Sequence, residues 1–252
     1  AIFSVSLGLL LLRSGIYNHL FFPNLVLDSL PIRILTGILG GMLLCGFLPR
    51  LAAVGVAGAY SLGGLVFGKD ILDYPILLGM AFYVMVRQHP WWAAAAWGRQ
   101  EWDLFQPLSR WSGLAMPVLR VLAGLSLIIP GIDKFTDPNL NMAVITKYGI
   151  RLPGISDTLF LFGAGWVETG LGLLVLLGLA PRLVAGILLV VFIPATLAGS
   201  FAFDMAGEIF DHLPFIAFGL AYLLEGNQAG LREIVARIPA SNRENEATTV
   251  QR

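Results

Sequence analysis

Residues 178–183 read GLAPRL and residues 46–51 read GFLPRL, and each stretch separates two long apolar runs. A glycine after a helix ends it by adopting a left-handed conformation, and a proline starts the next helix because its fixed φ suits the first turn. Each stretch therefore predicts a tight helical hairpin.

The two hairpins belong to a longer internal repeat. Residues 71–75 read ILDYP, and residues 209–214 read IFDHLP, which is the same pattern with one insertion. Two glycines of the first apolar run recur with the same spacing in the fifth: Gly8 and Gly15, then Gly124 and Gly131. Matches in the same order indicate a duplicated unit.

The composition is that of an integral membrane protein. Of the 252 residues, 57% are hydrophobic and 13% are charged, whereas a soluble domain carries about a quarter charged residues. A membrane-crossing helix needs about 20 mainly apolar residues. Eight runs meet or approach this length: 1–21, 31–48, 50–67, 72–87, 113–132, 157–179, 182–202 and 208–225. They lack the period-two alternation of barrel strands, so we expect helices.

These runs predict an all-α, polytopic membrane protein with eight transmembrane helices in two tandem four-helix units. The units cover residues 1–90 and 113–226. Because each has an even number of spans, we expect them to be parallel, related by an axis along the membrane normal. A Trp-rich linker at 91–112 is expected at the membrane interface, where tryptophan rings prefer to lie. Residues 227–252 predict a second interfacial helix and a disordered tail.

Charge indicates the orientation and excludes several classes of protein. Lysine and arginine near the ends of the runs lie mainly on the side of the hairpins, so both termini are expected in the cytoplasm. The net charge of zero argues against a nucleic-acid partner. A single cysteine, Cys45, rules out an internal disulfide or a cysteine metal cluster. Phosphate-loop, dinucleotide and hydrolase motifs are absent from the sequence, and no metal site is expected.

Glu168 is the first candidate catalytic residue. It falls in the middle of the sixth run, where a charge costs at least about 2.5 kcal/mol and usually has a function. Arg120, inside the fifth run, is its expected partner. The two could form part of a quinone or proton site, or could simply lock two helices together, because each charge satisfies the other. Another charge within the runs, Arg13, has no evident partner in the sequence.

A group of titratable residues starts the eighth run. Glu208, Asp211 and His212 lie within about one helical turn, so we expect their side chains to converge on one mouth at the outer face. A carboxylate beside a histidine can accept and pass on the protons of a quinol, which makes all three candidate catalytic residues. The alternative is a solvated helix end, where acidic groups favour the N-terminal dipole.

Two histidines raise the question of haem. His19 and His212 are both expected toward the outer face, and histidines from facing helices can bind haem iron. Haem is nevertheless disfavoured, because the sequence offers only two isolated histidines here and no Cys-x-x-Cys-His motif. His19 is still counted among the candidate cofactor-binding residues.

Four stretches of the second unit carry a family signature. Residues 119–121 read LRV, 131–135 read GIDKF, 168–174 read ETGLGLL and 177–182 read LGLAPR. With its arginine, its Gly-x-x-Lys motif and its glutamate before a Gly- and Leu-rich hairpin, the unit resembles the DoxX/DoxD family of four-span bacterial membrane proteins. The resemblance makes Asp133 and Lys134 candidate cofactor-binding residues and indicates the bacterial inner membrane.

The first unit keeps the repeat but not the polar signature. Ser4, Asn18 and Thr36 stand where the second unit has Arg120, Lys134 and Glu168. A site is therefore expected in the second unit or at the seam between the units.

The resemblance also implies a role in redox chemistry, because DoxD-like members are associated with thiosulfate:quinone oxidoreduction. We expect a quinone between the helices, and electrons from a periplasmic or membrane redox partner within a hetero-oligomer. A non-catalytic anchor or assembly subunit is the alternative. A small-molecule transporter would need more polar residues along its path than this sequence offers.

Overall fold

The computed structural model describes residues 1–17, 19–22, 25–26, 28–87, 105–149, 154–202 and 208–226. Within these ranges the chain is helical, and one isolated antiparallel bridge joins His19 to Val26. The predicted all-α class is confirmed for this part of the chain. Most of the predicted linker, residues 91–104, and the predicted interfacial helix and tail at 227–252 lie outside the described residues.

Nine α-helices lie within the described ranges. They are α1 (Ile2–Ile16), α2 (Leu30–Cys45), α3 (Pro49–Phe67), α4 (Ile76–Arg87), α5 (Ala115–Thr136), α6 (Pro138–Tyr148), α7 (Asp157–Leu177), α8 (Pro181–Ala202) and α9 (Glu208–Glu225). Short 3₁₀ segments, Gly68–Asp73 and Gln106–Leu114, precede α4 and α5. Eight of these helices coincide with the predicted apolar runs, whereas α6 was not predicted.

Several helices are suited to a lipid bilayer. Four helical stretches are long and apolar enough to cross it: Pro49–Asp73, Gln106–Thr136, Asp157–Leu177 and Pro181–Ala198. The helices α1, α2 and α4 are shorter and also apolar. Large apolar side chains are exposed on their outer surfaces, including Leu65 at 84% and Val190 at 72%. Such surfaces are typical of contact with lipid rather than with water.

Both predicted hairpins are present, and they share one backbone conformation. Gly46 and Gly178 end α2 and α7 in the left-handed region, with φ of 64° and 69°. The next residue in each hairpin donates its N–H five residues back, Phe47 to Met42 at 2.8 Å and Leu179 to Leu174 at 3.1 Å. This is the Schellman arrangement, and the proline that follows starts the next helix.

The glycines of the repeat allow two helix pairs to pack closely. A Cβ atom at Gly8 in α1 would lie 3.0 Å from the carbonyl oxygen of Gly40 in α2. A Cβ atom at Gly124 in α5 would lie 2.9 Å from the carbonyl oxygen of Gly172 in α7. Small residues let backbones approach in this way when lipid supplies no hydrophobic driving force. The pairs α1/α2 and α5/α7 are therefore built alike.

Contacts between the two halves involve four helices. α4 packs against α5, and α1 packs against α9. At the first contact the backbone N–H of Ile76, which has no partner within its own helix, donates to Oγ of Ser126 at 2.8 Å. Buried apolar residues of both halves belong to one continuous core.

The connection between α1 and α2 folds into the first half. Leu20, Phe21, Phe22 and Leu25, which we call the plug, are at most 2% exposed. The Phe21 N–H donates to Oγ of Ser14 at 3.0 Å, and Phe22 stacks on Tyr74. In the second half the corresponding connection contains α6, whose described side chains are exposed or half-buried except Ile145.

Candidate functional site

Glu168 forms an ion pair with Lys134. Nζ of Lys134, in the last turn of α5, lies 2.5 Å from Oε2 of Glu168, which is near the middle of α7. The two side chains are 15% and 26% exposed, so the pair is largely shielded but can be reached from the protein surface. We call it the α5–α7 ion pair. The prediction that Arg120 pairs with Glu168 is therefore wrong.

Helix register explains this correction. α5 and α7 run antiparallel, and the contact between Gly124 and Gly172 sets their register. Gly131 then lies against Glu168 and Thr169, close to Lys134, whereas Arg120 lies at the far end of α7. The Lys134 side chain reaches back along its own helix and also donates to the carbonyl oxygen of Pro130 at 3.3 Å.

Aromatic rings and one hydroxyl lie on the same or neighbouring turns of α5 and α7 as the ion pair. Phe135 stacks on Phe162 with ring centroids 5.6 Å apart and meets the edge of Trp166 at 5.4 Å. Trp166 is 71% exposed. Oγ1 of Thr169 is buried and has no hydrogen-bond partner among the described residues. The sequence alone does not indicate these residues as part of a site, although Phe135 and Thr169 directly follow Lys134 and Glu168.

Arg120 occupies the hairpin instead. It is 1% exposed, and its Nη1 lies where a Cβ atom would stand at Gly178. It also interacts electrostatically with Tyr222 of α9. Only glycine leaves room for the guanidinium at this helix end, so Arg120 stabilises the turn and does not contribute to the α5–α7 ion pair.

Arg13 and Asp211 form a second buried ion pair. Nη1 of Arg13 in α1 lies 3.2 Å from Oδ1 of Asp211 in α9, with side chains 8% and 18% exposed. The guanidinium also lies over the ring of Phe210, 5.5 Å from its centroid. We call this the seam ion pair, because it joins the two halves. The sequence alone does not indicate Asp211 as the partner of Arg13.

His212 faces a different neighbour from Asp211. Its Nδ1 lies 2.8 Å from Oγ1 of Thr196 in α8, and its ring meets Phe192 edge-on. Glu208 begins α9, and its side chain lies outside the described residues. Asp211 and His212 therefore do not converge on one mouth as predicted, because successive residues of a helix point about 100° apart.

The remaining candidates lie at the ends of the first helices of each half. His19 follows α1, and burial together with the nearby Arg13 lowers the pKa of its imidazole. Asp133 is exposed near the end of α5, beside Lys134. The structure thus brings His19 toward the seam ion pair and Asp133 toward the α5–α7 ion pair, while His212 is bonded within the second half.

Comparison with known protein families gives a match within the second half. The family model described as DoxX matches residues 115–201. This stretch is a DoxX domain. No curated protein and no solved structure matches the chain.

The DoxX domain contains the α5–α7 ion pair, Asp133, Arg120 and the second hairpin. His19, Asp211, His212 and Glu208 lie outside the matched residues. The apolar helices and the DoxX domain together identify a multi-pass membrane protein.

The seam ion pair gives a prediction for stability. Arg13→Leu should lower the free energy of unfolding by about 3 kcal/mol, because it leaves the Asp211 carboxylate buried without its cation. Replacing both residues with leucine should recover most of this loss, since apolar residues of similar volume pack well in such a place. Thermal unfolding in detergent measures the stability of both variants. If Arg13→Leu were as stable as the parent protein, the ion pair would contribute nothing to stability.

Proposed function

We propose that this chain is the membrane subunit of a quinone-linked electron-transfer complex. It crosses the bacterial inner membrane eight times as two tandem, parallel four-helix units, with both termini in the cytoplasm. Electrons come from a periplasmic or membrane redox partner in the same hetero-oligomer. The shared hairpin conformation and the matching glycine contacts of α1/α2 and α5/α7 support the tandem arrangement.

The α5–α7 ion pair is the observation that carries the proposal. A charged pair within apolar helices is expensive and usually functional. A quinone headgroup has two carbonyl oxygens that need hydrogen-bond donors, and it exchanges two electrons and two protons with its surroundings. The ammonium of Lys134 can donate to one oxygen, and Glu168 can hold or release a proton. The unpartnered hydroxyl of Thr169 is a further donor in the same turn as Glu168.

The flank of the ion pair suits a planar apolar ligand. Phe135, Phe162 and Trp166 form a cluster of aromatic rings on the neighbouring turns of α5 and α7, and such rings favour stacked or edge-on contacts with other rings. The exposure of Trp166 provides an approach from the lipid phase, where quinones dissolve. Lys134, Glu168 and Thr169 would bind the polar atoms, and the rings would orient the headgroup.

The contrast between the halves also supports this location. Asn18 and Thr36 replace the charged residues in the first half. The plug fills the space between α1, α3 and the start of α4. The first half thus lacks an ion pair at this position, and the second half keeps one.

A non-catalytic anchor is the second candidate function, and one observation favours it. Two ion pairs join α9 to helices of the first half: the seam ion pair, and Arg87 of α4 with Glu225, to which the Tyr83 hydroxyl also donates at 2.6 Å. Charges used in this way stabilise an assembly without chemistry. The α5–α7 ion pair differs, because it lies within one half and joins helices that already pack closely.

Trp166 provides a direct test of quinone binding. Titrating the detergent-purified chain with a short-chain quinone should quench tryptophan emission with a saturable component, because a quinone bound beside an indole accepts an electron from its excited state. Trp166→Phe should remove that component. Glu168→Gln should weaken the affinity about tenfold, equivalent to about 1.4 kcal/mol.

Trp111→Phe is the matched control. This tryptophan is also exposed, but it lies in the 3₁₀ segment before α5, at the opposite end of that helix from Lys134. Its removal should leave the saturable component unchanged. Saturable quenching that survives both Trp166→Phe and Glu168→Gln would contradict a quinone site at the α5–α7 ion pair.

A further inference from the structure

The seam ion pair shows how the fold places an acidic residue of one half against the other half. Asp211 lies in the first turn of α9, the last helix of the second half, and it contacts Arg13 near the end of α1, the first helix of the first half. The repeat makes Asp73 the counterpart of Asp211, and α5 the counterpart of α1. Asp73 is therefore expected to face α5.

Packing supports that expectation. The 3₁₀ segment Gly68–Asp73 contacts α5. The bond from the N–H of Ile76 to Ser126 then fixes the start of α4 on the same helix. On the other side, the Tyr60 hydroxyl donates to the carbonyl oxygen of Ile71 at 2.9 Å and holds the segment against α3.

The Lys134 side chain folds back along its own helix. Nζ of Lys134 donates to the carbonyl oxygen of Pro130 at 3.3 Å, so the ammonium lies about one helical turn back toward the middle of α5. Asp73 is half-buried and interacts electrostatically with Lys134. The ammonium of Lys134 thus pairs directly with Glu168 of its own half and interacts at longer range with Asp73 of the other half.

We propose that Asp73 of the first half is the proton-relay residue of the α5–α7 ion pair. This inference rests on the proposed quinone function. When quinone is reduced by electrons from the redox partner, Asp73 takes a proton from water at the outer face and passes it to the ion pair, which delivers it to the quinone oxygen. In quinol oxidation the proton moves in the opposite direction. The first half therefore supplies a working residue to the DoxX domain.

Charged and titratable groups around Asp73 will influence its pH dependence. They lie on its own segment, on α5 and on α3: Lys69, Asp70, Asp133, Lys134 and Tyr60. The neighbouring acidic groups favour a bound proton on Asp73, and the two lysines favour its loss.

Asp73→Asn is the decisive variant. In the native complex, with the redox partner kept reduced, we expect quinone turnover to fall about a hundredfold between about pH 5 and about pH 8, because an amide cannot carry the proton. Quenching of Trp166 by the same quinone should change less than about twofold, since Asp73 does not contribute to binding. Asp73→Glu, which restores a carboxylate, should recover most of the turnover.

Asp70→Asn is the matched control, because it removes an exposed carboxylate from the same segment. It should keep the parental maximal turnover and at most shift the pH profile slightly, because Asp70 affects Asp73 only through its charge. Parental turnover in Asp73→Asn at every pH would overturn the relay, and so would equal losses in Asp73→Asn and Asp73→Glu. Either result would leave quinone binding, as measured by Trp166 quenching, unaffected. Absence of saturable Trp166 quenching would instead overturn the quinone site itself.

Discussion

Glu168→Gln is expected to lower quinone-linked turnover by about a hundredfold or more while the complex still assembles. The amide keeps the size of the side chain but cannot hold or release a proton at the quinone. It also leaves the ammonium of Lys134 without its closest carboxylate. Turnover of the purified native complex, compared at equal subunit content, measures this effect.

Glu225→Gln is the control for Glu168→Gln. Glu225 is also paired and half-buried, but its partners are Arg87 and Tyr83, where the last helices of the two halves end. Its removal should weaken the contact between halves without changing quinone affinity. Parental turnover in an intact Glu168→Gln complex, or loss of assembly alone, would favour the anchor function over catalysis.

Gly172→Ala is expected to prevent stable folding. The added Cβ atom would lie 2.8 Å from the carbonyl oxygen of Gly124 and 2.7 Å from the side chain of Ile128. Backbone cannot move aside as a flexible side chain can, so α5 and α7 must separate. Overpacking of this kind costs about 3 kcal/mol or more. The yield of monodisperse protein and its unfolding temperature in detergent would report the loss.

Gly170→Ala offers a contrast two residues away on the same helix. A Cβ atom at Gly170 would meet nothing within 4 Å. This variant should be more stable by up to about 1 kcal/mol, because alanine favours helix over glycine. If the two alanine variants unfolded at the same temperature, close glycine packing would not be what joins α5 to α7.

The hairpins and most helices could be predicted because their signals are local. A glycine that ends a helix and a proline that starts the next define the turn from a few adjacent residues. The bonds from Phe47 to Met42 and from Leu179 to Leu174 follow from that short pattern. The apolar runs are equally local, so α1 to α5 and α7 to α9 coincide with them.

The partner of Glu168 could not be predicted in the same way. Two charges in neighbouring helices suggest a pair, but which residues meet depends on how far one helix slides along the other. That position is set by glycine contacts, which carry no charge. Arg120 consequently lies at a helix end, and Lys134 reaches Glu168 only by folding back along α5.

Contacts across the duplication were the hardest to foresee. Arg13 and Asp211 are far apart in the sequence, and nothing near either residue indicates the other. The short helix α6 was missed for a different reason. Its 11 residues include asparagine, threonine and lysine, so it lacks the long apolar run by which the other helices were recognised.

The plug has a consequence for stoichiometry. A pair of identical DoxX domains would offer two equivalent binding positions, and occupation of one could influence the other. Here Leu20, Phe21, Phe22 and Leu25 fill the interior of the first half, and Asn18 and Thr36 stand where the second half has its ion pair. The tandem chain should therefore take up one quinone per molecule, with a hyperbolic isotherm and a Hill coefficient of about 1.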